Sequence, residues 1–194
     1  MTKLLLVGFS VVMMANLRVE ASEKHLQIGD PFPVLSGQFL TGREAALPQE
    51  SSGSTRLVAM GFTYKSRFPV EAWAEWYSTA IGRREDITLF EVPMISGLAT
   101  FGQWFIDRGM RNGTPTELHE NVIIVYSGAN EWKTALAYGP GREDDAYLVV
   151  IDGGGIVRWL HHGMFDDVTA AQLRGVLLSL ARHGGAGRQQ QEEE

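Results

Sequence analysis

A short apolar segment that leads through a loop into a helix is the feature that most constrains this fold. Residues 57–60 form an apolar run of strand length, the kind found in the middle of a sheet. Pro69 fits the first turn of the following helix, which ends at Gly82. The apolar positions of that helix recur at helical spacing: Val70, Trp73, Ala74, Tyr77, Ala80 and Ile81. A buried strand followed at once by an amphipathic helix predicts an α/β fold.

The same two patterns alternate along the rest of the chain. Strands are predicted at 86–94 and 121–127, helices at 98–110 and 130–139, and strands at 146–152 and 156–163 around a Gly153–Gly155 turn. A last helix is expected to begin at Asp166 or Asp167 and to end before His183. This order predicts a central mixed β-sheet flanked by helices, with a C-terminal β-hairpin and helix.

The length predicts one domain, because 194 residues with 44% apolar content fill a single core. We assign residues 22–183 to that domain. Residues 184–194 have nothing to bury and are expected to form a disordered tail. The net charge of −6 argues against a nucleic-acid binder, which needs a basic surface.

The first 21 residues have the pattern of a secretory signal. Lys3 precedes an apolar run from Leu4 to Leu17 that is short for a bilayer span, and Ala21 offers a small residue for cleavage. The run is neither Arg-rich nor amphipathic, so it does not resemble a mitochondrial presequence. We therefore expect an exported protein, periplasmic or otherwise extracytoplasmic. An uncleaved membrane anchor is the alternative.

The absence of cysteine excludes several functions on chemical grounds. An oxidising compartment outside the cytoplasm would permit disulfides, but this chain has no cysteine with which to form one. Thiol–disulfide exchange, peroxide reduction by a thiolate and cysteine-ligated copper or zinc are likewise excluded.

Three segments carry a resemblance to a known superfamily. "IGDPFPVLSGQFLTGREAAL", "LVAMGFTYKSRFPVEAW" and "DDAYLVVIDGGGIVRWLHHG" resemble the entry segment, the strand–loop–helix and the C-terminal hairpin of thioredoxin-like and peroxiredoxin-like proteins. The hairpin is most similar to the thioredoxin-like family of mitochondrial ATP synthase assembly factors. The resemblance implies a thioredoxin-like fold. The assembly-factor likeness implies action by binding a partner protein, of which a membrane-complex subunit is one kind.

Two departures from the superfamily pattern bear on function. Residues 64–67 occupy the positions of the redox cysteines, and Asp145-Ala146 stands where thioredoxins have a proline facing them. The resemblance therefore implies a chain that has lost dithiol chemistry. We predict a non-redox, chaperone-like binding or assembly module, not an enzyme. The alternatives are an oxidoreductase-like enzyme with non-thiol chemistry, using Tyr64 or the Lys65 amine, and a small-ligand carrier.

The candidate partner-binding residues surround the loop before the first long helix. Loops that join a strand's carboxyl end to a helix are common ligand sites in α/β sheets. Charge would come from Lys65 and Arg67, and apolar contact from aromatic residues, including Trp76, which falls off the helix stripe. The candidates are Tyr64, Lys65, Ser66, Arg67, Phe68 and Trp76. The alternative is a solvated loop in which Ser66 only caps the helix.

No cofactor, metal site or catalytic constellation is predicted. His161 and His162 are adjacent on a strand, so they point to opposite faces and do not easily bind one ion together. The glycine run at 153–155 leads into another strand and is therefore a turn, not a phosphate loop. Trp73, Trp104 and Trp159 are expected to pack in or beside the core.

Overall fold

The computed structural model describes residues 25–95 and 108–191 of the chain. The predicted signal at residues 1–21, most of the helix predicted at 98–110, and Trp104 lie outside these ranges. The strands are β1 (Leu35–Phe39), β2 (Glu44–Leu47), β3 (Thr55–Gly61), β4 (Ile87–Pro93), β5 (Ile123–Ile124), β6 (Ala146–Ile151) and β7 (Val157–Gly163). The helices are α1 (Arg67–Ala80), α2 (Ala129–Ala135) and α3 (Asp167–Gln191), with further helical residues at 108–113. None of the described helices is long and apolar enough to cross a membrane.

A four-stranded mixed sheet forms the centre of the molecule. Its strand order is β4-β3-β6-β7, with β3 parallel to β4 and antiparallel to β6. All seven residues of β3 are buried, which confirms the central strand predicted at 57–60. The carboxyl ends of β3, β4 and β7 therefore meet the start of β6 at one edge of the sheet. We call this edge the loop edge, because the candidate loop leaves β3 there.

Two apolar layers cover the two faces of this sheet. On one face, Val70 and Trp73 of α1 pack with Leu173 and Leu177 of α3 against the strands. On the other face lie α2 and a smaller sheet with the order β2-β1-β5. The helical stripe predicted after Pro69 is thus the face of α1 that enters the core. The mixed sheet with helices on its faces has the predicted layout.

The predicted C-terminal hairpin is present, and its turn is organised by one carboxylate. Asp152 Oδ1 accepts hydrogen bonds from the backbone N–H groups of Gly154 (2.9 Å) and Ile156 (3.0 Å). Its Oδ2 accepts from Arg158 Nε at 2.6 Å. Partial burial works to raise the pKa of Asp152, but the hydrogen bonds from Ile156 and Arg158 outweigh it and lower that pKa. The glycine run is therefore a turn, as predicted.

A fully buried arginine joins this turn to the loop before β3. The Arg56 guanidinium donates hydrogen bonds to the backbone carbonyls of Pro48, Glu50 and Asp152. Burial lowers the pKa of Arg56, and the charge of Asp152 opposes that change. Both loops at the far end of the sheet, away from the loop edge, thus depend on one charged group.

The last helix is longer than the sequence indicated. Asp166 caps it, since its Oδ1 accepts a hydrogen bond from the Thr169 N–H at 2.8 Å. The start near Asp166 or Asp167 is therefore confirmed. The expected end before His183 is wrong, because the backbone stays helical to Gln191. The disordered tail from residue 184 stays a prediction. Once a helix has formed, each added residue gains a hydrogen bond without needing a packed side chain.

Candidate functional site

The candidate loop lies at the loop edge, between the end of β3 and the start of α1. Its neighbours across the edge are residues 143–145, which lead into β6, because Met60 of β3 pairs with Tyr147 of β6. The end of β7 lies beside them, since Gly163 pairs with Ala146. The loop thus faces the Asp145-Ala146 position that stands where thioredoxins have a proline.

Ser66 holds the loop together from inside. Its side chain is 1% exposed, and its Oγ donates to the Thr63 carbonyl at 2.7 Å while accepting from the Thr63 N–H at 3.1 Å. In return, the Ser66 N–H donates to Thr63 Oγ1 at 3.0 Å. Ser66 stands at the N-cap position of α1 but makes no side-chain capping bond. The interpretation that it only caps the helix is therefore wrong, because its hydroxyl closes the loop.

Asp144 ties this loop to the segment before β6. Thr63 Oγ1 donates to Asp144 Oδ1 at 2.7 Å, and Lys65 Nζ lies 3.7 Å from Asp144 Oδ2. Sequence reasoning missed the pairing of Thr63 with Asp144, because 81 positions separate the two residues. The acidic pair at 144–145 just before a buried strand was the available signal, but no spacing connected it to the loop.

Tyr64, Arg67 and Phe68 form an exposed stack that we call the aromatic clamp. The Tyr64 side chain is 74% exposed and Phe68 is 51% exposed. Arg67 contacts both rings, with Cζ 4.8 Å from the Tyr64 ring centroid and 4.7 Å from that of Phe68. Contacts of this kind combine cation–π attraction with stacking of the planar guanidinium. Three of the predicted site residues are therefore in mutual contact on the surface.

Trp76 does not belong to this exposed group, which corrects the prediction. It is half-buried and packs against the same apolar cluster as α1 and α3. Its ring meets Trp73 edge-on, with centroids 5.8 Å apart. Trp73 is fully buried and Trp159 is partly buried in that cluster, as expected for both. Because Trp73 provides an apolar partner one turn away, Trp76 packs inward even though it lies off the stripe.

His161 and His162 have different surroundings at the end of β7. His162 Nδ1 lies 2.8 Å from Asp145 Oδ2, and its ring is 5.6 Å from that of Tyr147. His161 stacks on Trp159 on the opposite side, and burial followed by the charge of His162 lowers the pKa of His161. Within residues 25–95 and 108–191, no three histidine, aspartate or glutamate side chains are grouped to hold a metal ion.

Aromatic residues beneath the loop edge keep their hydroxyls protonated. Phe62 contacts Tyr147 edge-on at 5.4 Å and Tyr138 at 5.3 Å. Burial, with a contribution from the charge of Asp145, raises the pKa of Tyr147 to about 12. Burial and the nearby charges of Glu143 and Asp144 also raise the pKa of Tyr138. Tyr138 and Tyr147 thus both lie near the acidic residues 143–145 that lead into β6.

Comparison with known proteins rests on structure. No family model and no curated protein matches the chain. BsSco, of the Sco family of cytochrome c oxidase assembly proteins, matches with TM-score 0.56 and 10% identity, over 82% of this chain and 97% of that one. A domain of a possible thiol-disulfide isomerase from Cytophaga hutchinsonii matches with TM-score 0.53 and 12% identity, over 82% and 96%. The thioredoxin domain of a thiol-disulfide oxidoreductase from Bacteroides vulgatus gives 0.51 and 16%, over 78% and 99%.

The fold is thioredoxin-like. The predicted fold class is thereby confirmed, and identities this low establish the fold alone. The likeness of the hairpin to ATP synthase assembly factors stays a prediction. The structural neighbours include thiol–disulfide enzymes, whose thiol chemistry requires cysteine, and this chain has none.

Proposed function

We propose that this protein is an exported, non-redox module that binds a partner protein through the aromatic clamp. The observation that carries the proposal is the exposure of two large rings, Tyr64 and Phe68, that both contact Arg67. Tyrosine and arginine are enriched among the residues that dominate binding energy at protein interfaces. Exposed apolar side chains gathered at one place mark contact surfaces.

Further apolar residues extend the exposed surface along the loop edge. Met164, directly after β7, is 61% exposed, and Val168 in the first turn of α3 is 71% exposed. Both follow the end of β7, which lies at the same edge as the candidate loop. A partner segment lying along this edge would cover apolar surface from α1, α3 and the loop together. An apolar contact surface with a polar rim is the usual anatomy of a protein interface.

The loop is held in shape before any partner arrives. Ser66, Thr63 and Asp144 form a connected set of hydrogen bonds beneath the clamp. A surface fixed in its binding conformation loses less conformational entropy on association. This support is compatible with a docking role, because it fixes the shape of the surface that a partner would meet.

The alternative functions have less support at this site. Lys65 is 75% exposed and lies beside Asp144, so it lacks the burial that activates a catalytic amine. Two open hollows of about 470 and 590 Å³ in the described part of the chain are lined by residues away from the clamp. Export is part of the proposal and rests on residues 1–21. The assembly role rests on the resemblance of the hairpin.

Site-specific photocrosslinking in the native envelope tests this function. A photoreactive amino acid at position 65 would be compared with the same group at position 85, which is exposed near the start of β4 at the opposite edge. We expect one dominant crosslinked protein from position 65. The crosslink should be absent when the photoreactive group is at position 85. It should also be absent from position 65 in the Tyr64→Ala/Phe68→Ala variant.

The variant must be shown to fold, and we expect it to do so because both substituted side chains are exposed. Substitution of exposed side chains changes the free energy of unfolding by about 0.5 kcal/mol or less. If the variant folds and the crosslink persists, the clamp is not the docking surface. If no protein crosslinks above background from position 65, the proposal fails, and release of a bound molecule on denaturation becomes the next measurement.

A further inference from the structure

Arg67 contacts two aromatic rings and makes no hydrogen bond within the described residues. Its Cζ lies 4.8 Å from the Tyr64 ring centroid and 4.7 Å from that of Phe68. Within the part of the chain that the structure describes, the guanidinium donates no hydrogen bond and pairs with no carboxylate. The rings pack against the guanidinium, and its N–H groups keep their capacity to donate hydrogen bonds to a ligand.

A guanidinium fixed in this way is prepared to bind an anion. Its N–H groups form a fork that matches the two oxygens of a carboxylate, which it binds through parallel hydrogen bonds. Because the rings restrict the side chain in advance, little rotamer entropy remains to be lost on binding. The two exposed rings would meet apolar atoms next to the bound anion.

The surrounding charges favour an anion with a single charge. Lys65, the other cation of the loop, already lies 3.7 Å from Asp144, so Arg67 alone has its charge unpaired within residues 62–68. Glu71 follows four positions later on α1 and adds negative charge to the same side of the helix. A phosphate carries nearly two charges and would meet more repulsion from Asp144 and Glu71 than a carboxylate would.

We infer that the aromatic clamp takes the side-chain carboxylate of an Asp or Glu in the partner segment, beside an apolar residue that covers Tyr64 and Phe68. This inference rests on the proposed function and names the chemistry of its partner. Arg67 is then the residue that determines specificity, and Tyr64 and Phe68 orient it.

Selection from a library of random linear peptides tests the inference with a defined probe. The full chain would be immobilised, and selected peptides would be synthesised and titrated against purified variants. We expect the selected peptides to carry Asp or Glu next to an aliphatic or aromatic residue. Arg67→Gln should weaken their binding about tenfold or more, since a charge-assisted hydrogen-bonded pair is lost. Arg67→Lys should weaken it nearly as much, because lysine lacks the fork.

The matched control is Arg83→Gln, which removes the same charge from an exposed arginine beyond the other end of α1. Its binding should equal that of the unmodified chain. Replacing the acidic peptide residue by Asn or Gln should cost as much as Arg67→Gln does. The double change should cost little more than either single change, because the two groups act as one pair.

Three results would overturn the inference. In the first, peptide binding is lost in the Tyr64→Ala/Phe68→Ala variant but unchanged in Arg67→Gln. This result would support the docking surface but would contradict recognition of a carboxylate. In the second, a peptide with phosphoserine binds more tightly than the same peptide with Asp or Glu at that position. This result would show that the clamp prefers a phosphate to a carboxylate. Peptides that respond to no clamp substitution, or no selected peptide at all, would remove the proposed function together with the inference.

Discussion

The Thr63 hydroxyl donates a hydrogen bond of 2.7 Å to the Asp144 carboxylate. The same hydroxyl oxygen accepts the Ser66 N–H, so one side chain connects the segment before β6 to the start of α1. In this chain, a carboxylate and two hydroxyls hold the loop in place without any sulfur.

Removing the Asp144 charge should loosen the loop more than it destabilises the fold. Asp144→Asn weakens the bond from Thr63 and removes the charge beside Lys65. We expect a loss of about 1 kcal/mol in the free energy of unfolding, since Asp144 is partly solvated. Hydrogen exchange at the Thr63 and Ser66 amides should accelerate, while exchange within β3 should not change. Glu143→Gln, an exposed neighbour, is the control, and equal acceleration in that variant would contradict the assignment.

Gly61 should tolerate no side chain while Ser66 stays in place. A Cβ at Gly61 would lie 2.5 Å from Ser66 Oγ, so Gly61→Ala should destabilise the protein by about 1–3 kcal/mol. Ser66→Ala alone should cost about 1 kcal/mol through its lost hydrogen bonds. The double variant should be more stable than the sum of the two losses predicts, because the clashing oxygen is gone.

Chemical denaturation of the four proteins in this cycle measures the coupling. Gly175→Ala, at an open position on α3, is the control and should stabilise the chain by about 0.5–1 kcal/mol, since alanine favours a helix. Strict additivity of Gly61→Ala and Ser66→Ala would show that the contact between the two positions is not the cause.

Stability should fall as the pH rises through the range in which Glu91 titrates. Burial, with a smaller contribution from the charge of Glu71, raises the pKa of Glu91 from 4.5 to about 7. The folded state therefore holds this proton more tightly than the unfolded state, and the folded chain loses stability between about pH 4.5 and about pH 7. We expect this group to cost about 2 kcal/mol above that range, because its side chain keeps some contact with water.

Glu91→Gln isolates this effect. The amide does not titrate, so the variant should be more stable than the unmodified chain at about pH 8 and should lose that advantage near about pH 5. Urea midpoints measured across this range provide the test, with Glu85→Gln as an exposed control for the change in charge. An unchanged difference between Glu91→Gln and the unmodified chain at every pH would refute the prediction.

The buried Arg56 should be among the most sensitive positions at the far end of the sheet. Arg56→Met keeps similar volume but leaves the carbonyls of Pro48, Glu50 and Asp152 without their donor. We expect a loss of about 2–4 kcal/mol in the free energy of unfolding. Arg83→Met, on the surface, should change it by less than about 0.5 kcal/mol. Similar urea midpoints for the two variants would argue against a structural role for Arg56.

Local pattern was sufficient to predict the central strand, the buried stripe of α1 and the C-terminal hairpin. In each case, the information lies within a few neighbouring residues: apolar runs, helical spacing, and glycines at a turn. The start of α3 after its capping residue Asp166 belongs to the same class, because a capping carboxylate acts three residues away. The end of that helix does not, since the helix continues past the last apolar position of its stripe.

The parts of the site that the sequence did not predict depend on contacts between distant segments. Nothing near Thr63 points to Asp144, and nothing near His162 points to Asp145. Trp76 lies off the apolar stripe of its helix, and only its position beside Trp73 shows that it packs inward. The sequence predicts a charge at Arg67 and apolar surface at Tyr64 and Phe68, but not the contact between them. Their stacking follows from the way the start of α1 places neighbouring side chains.

The bonds of Arg56 have a consequence for the order in which the protein opens. Its guanidinium bonds to carbonyls from two loops at once, so movement of either loop leaves a buried charge without some of its hydrogen-bond acceptors. Partial opening should therefore begin at the other end of β3, where the supporting bonds are partly in contact with water. A partner that binds the clamp would then close the part of the molecule that opens most often. Binding there would reduce local opening of the structure and slow proteolysis of the whole domain.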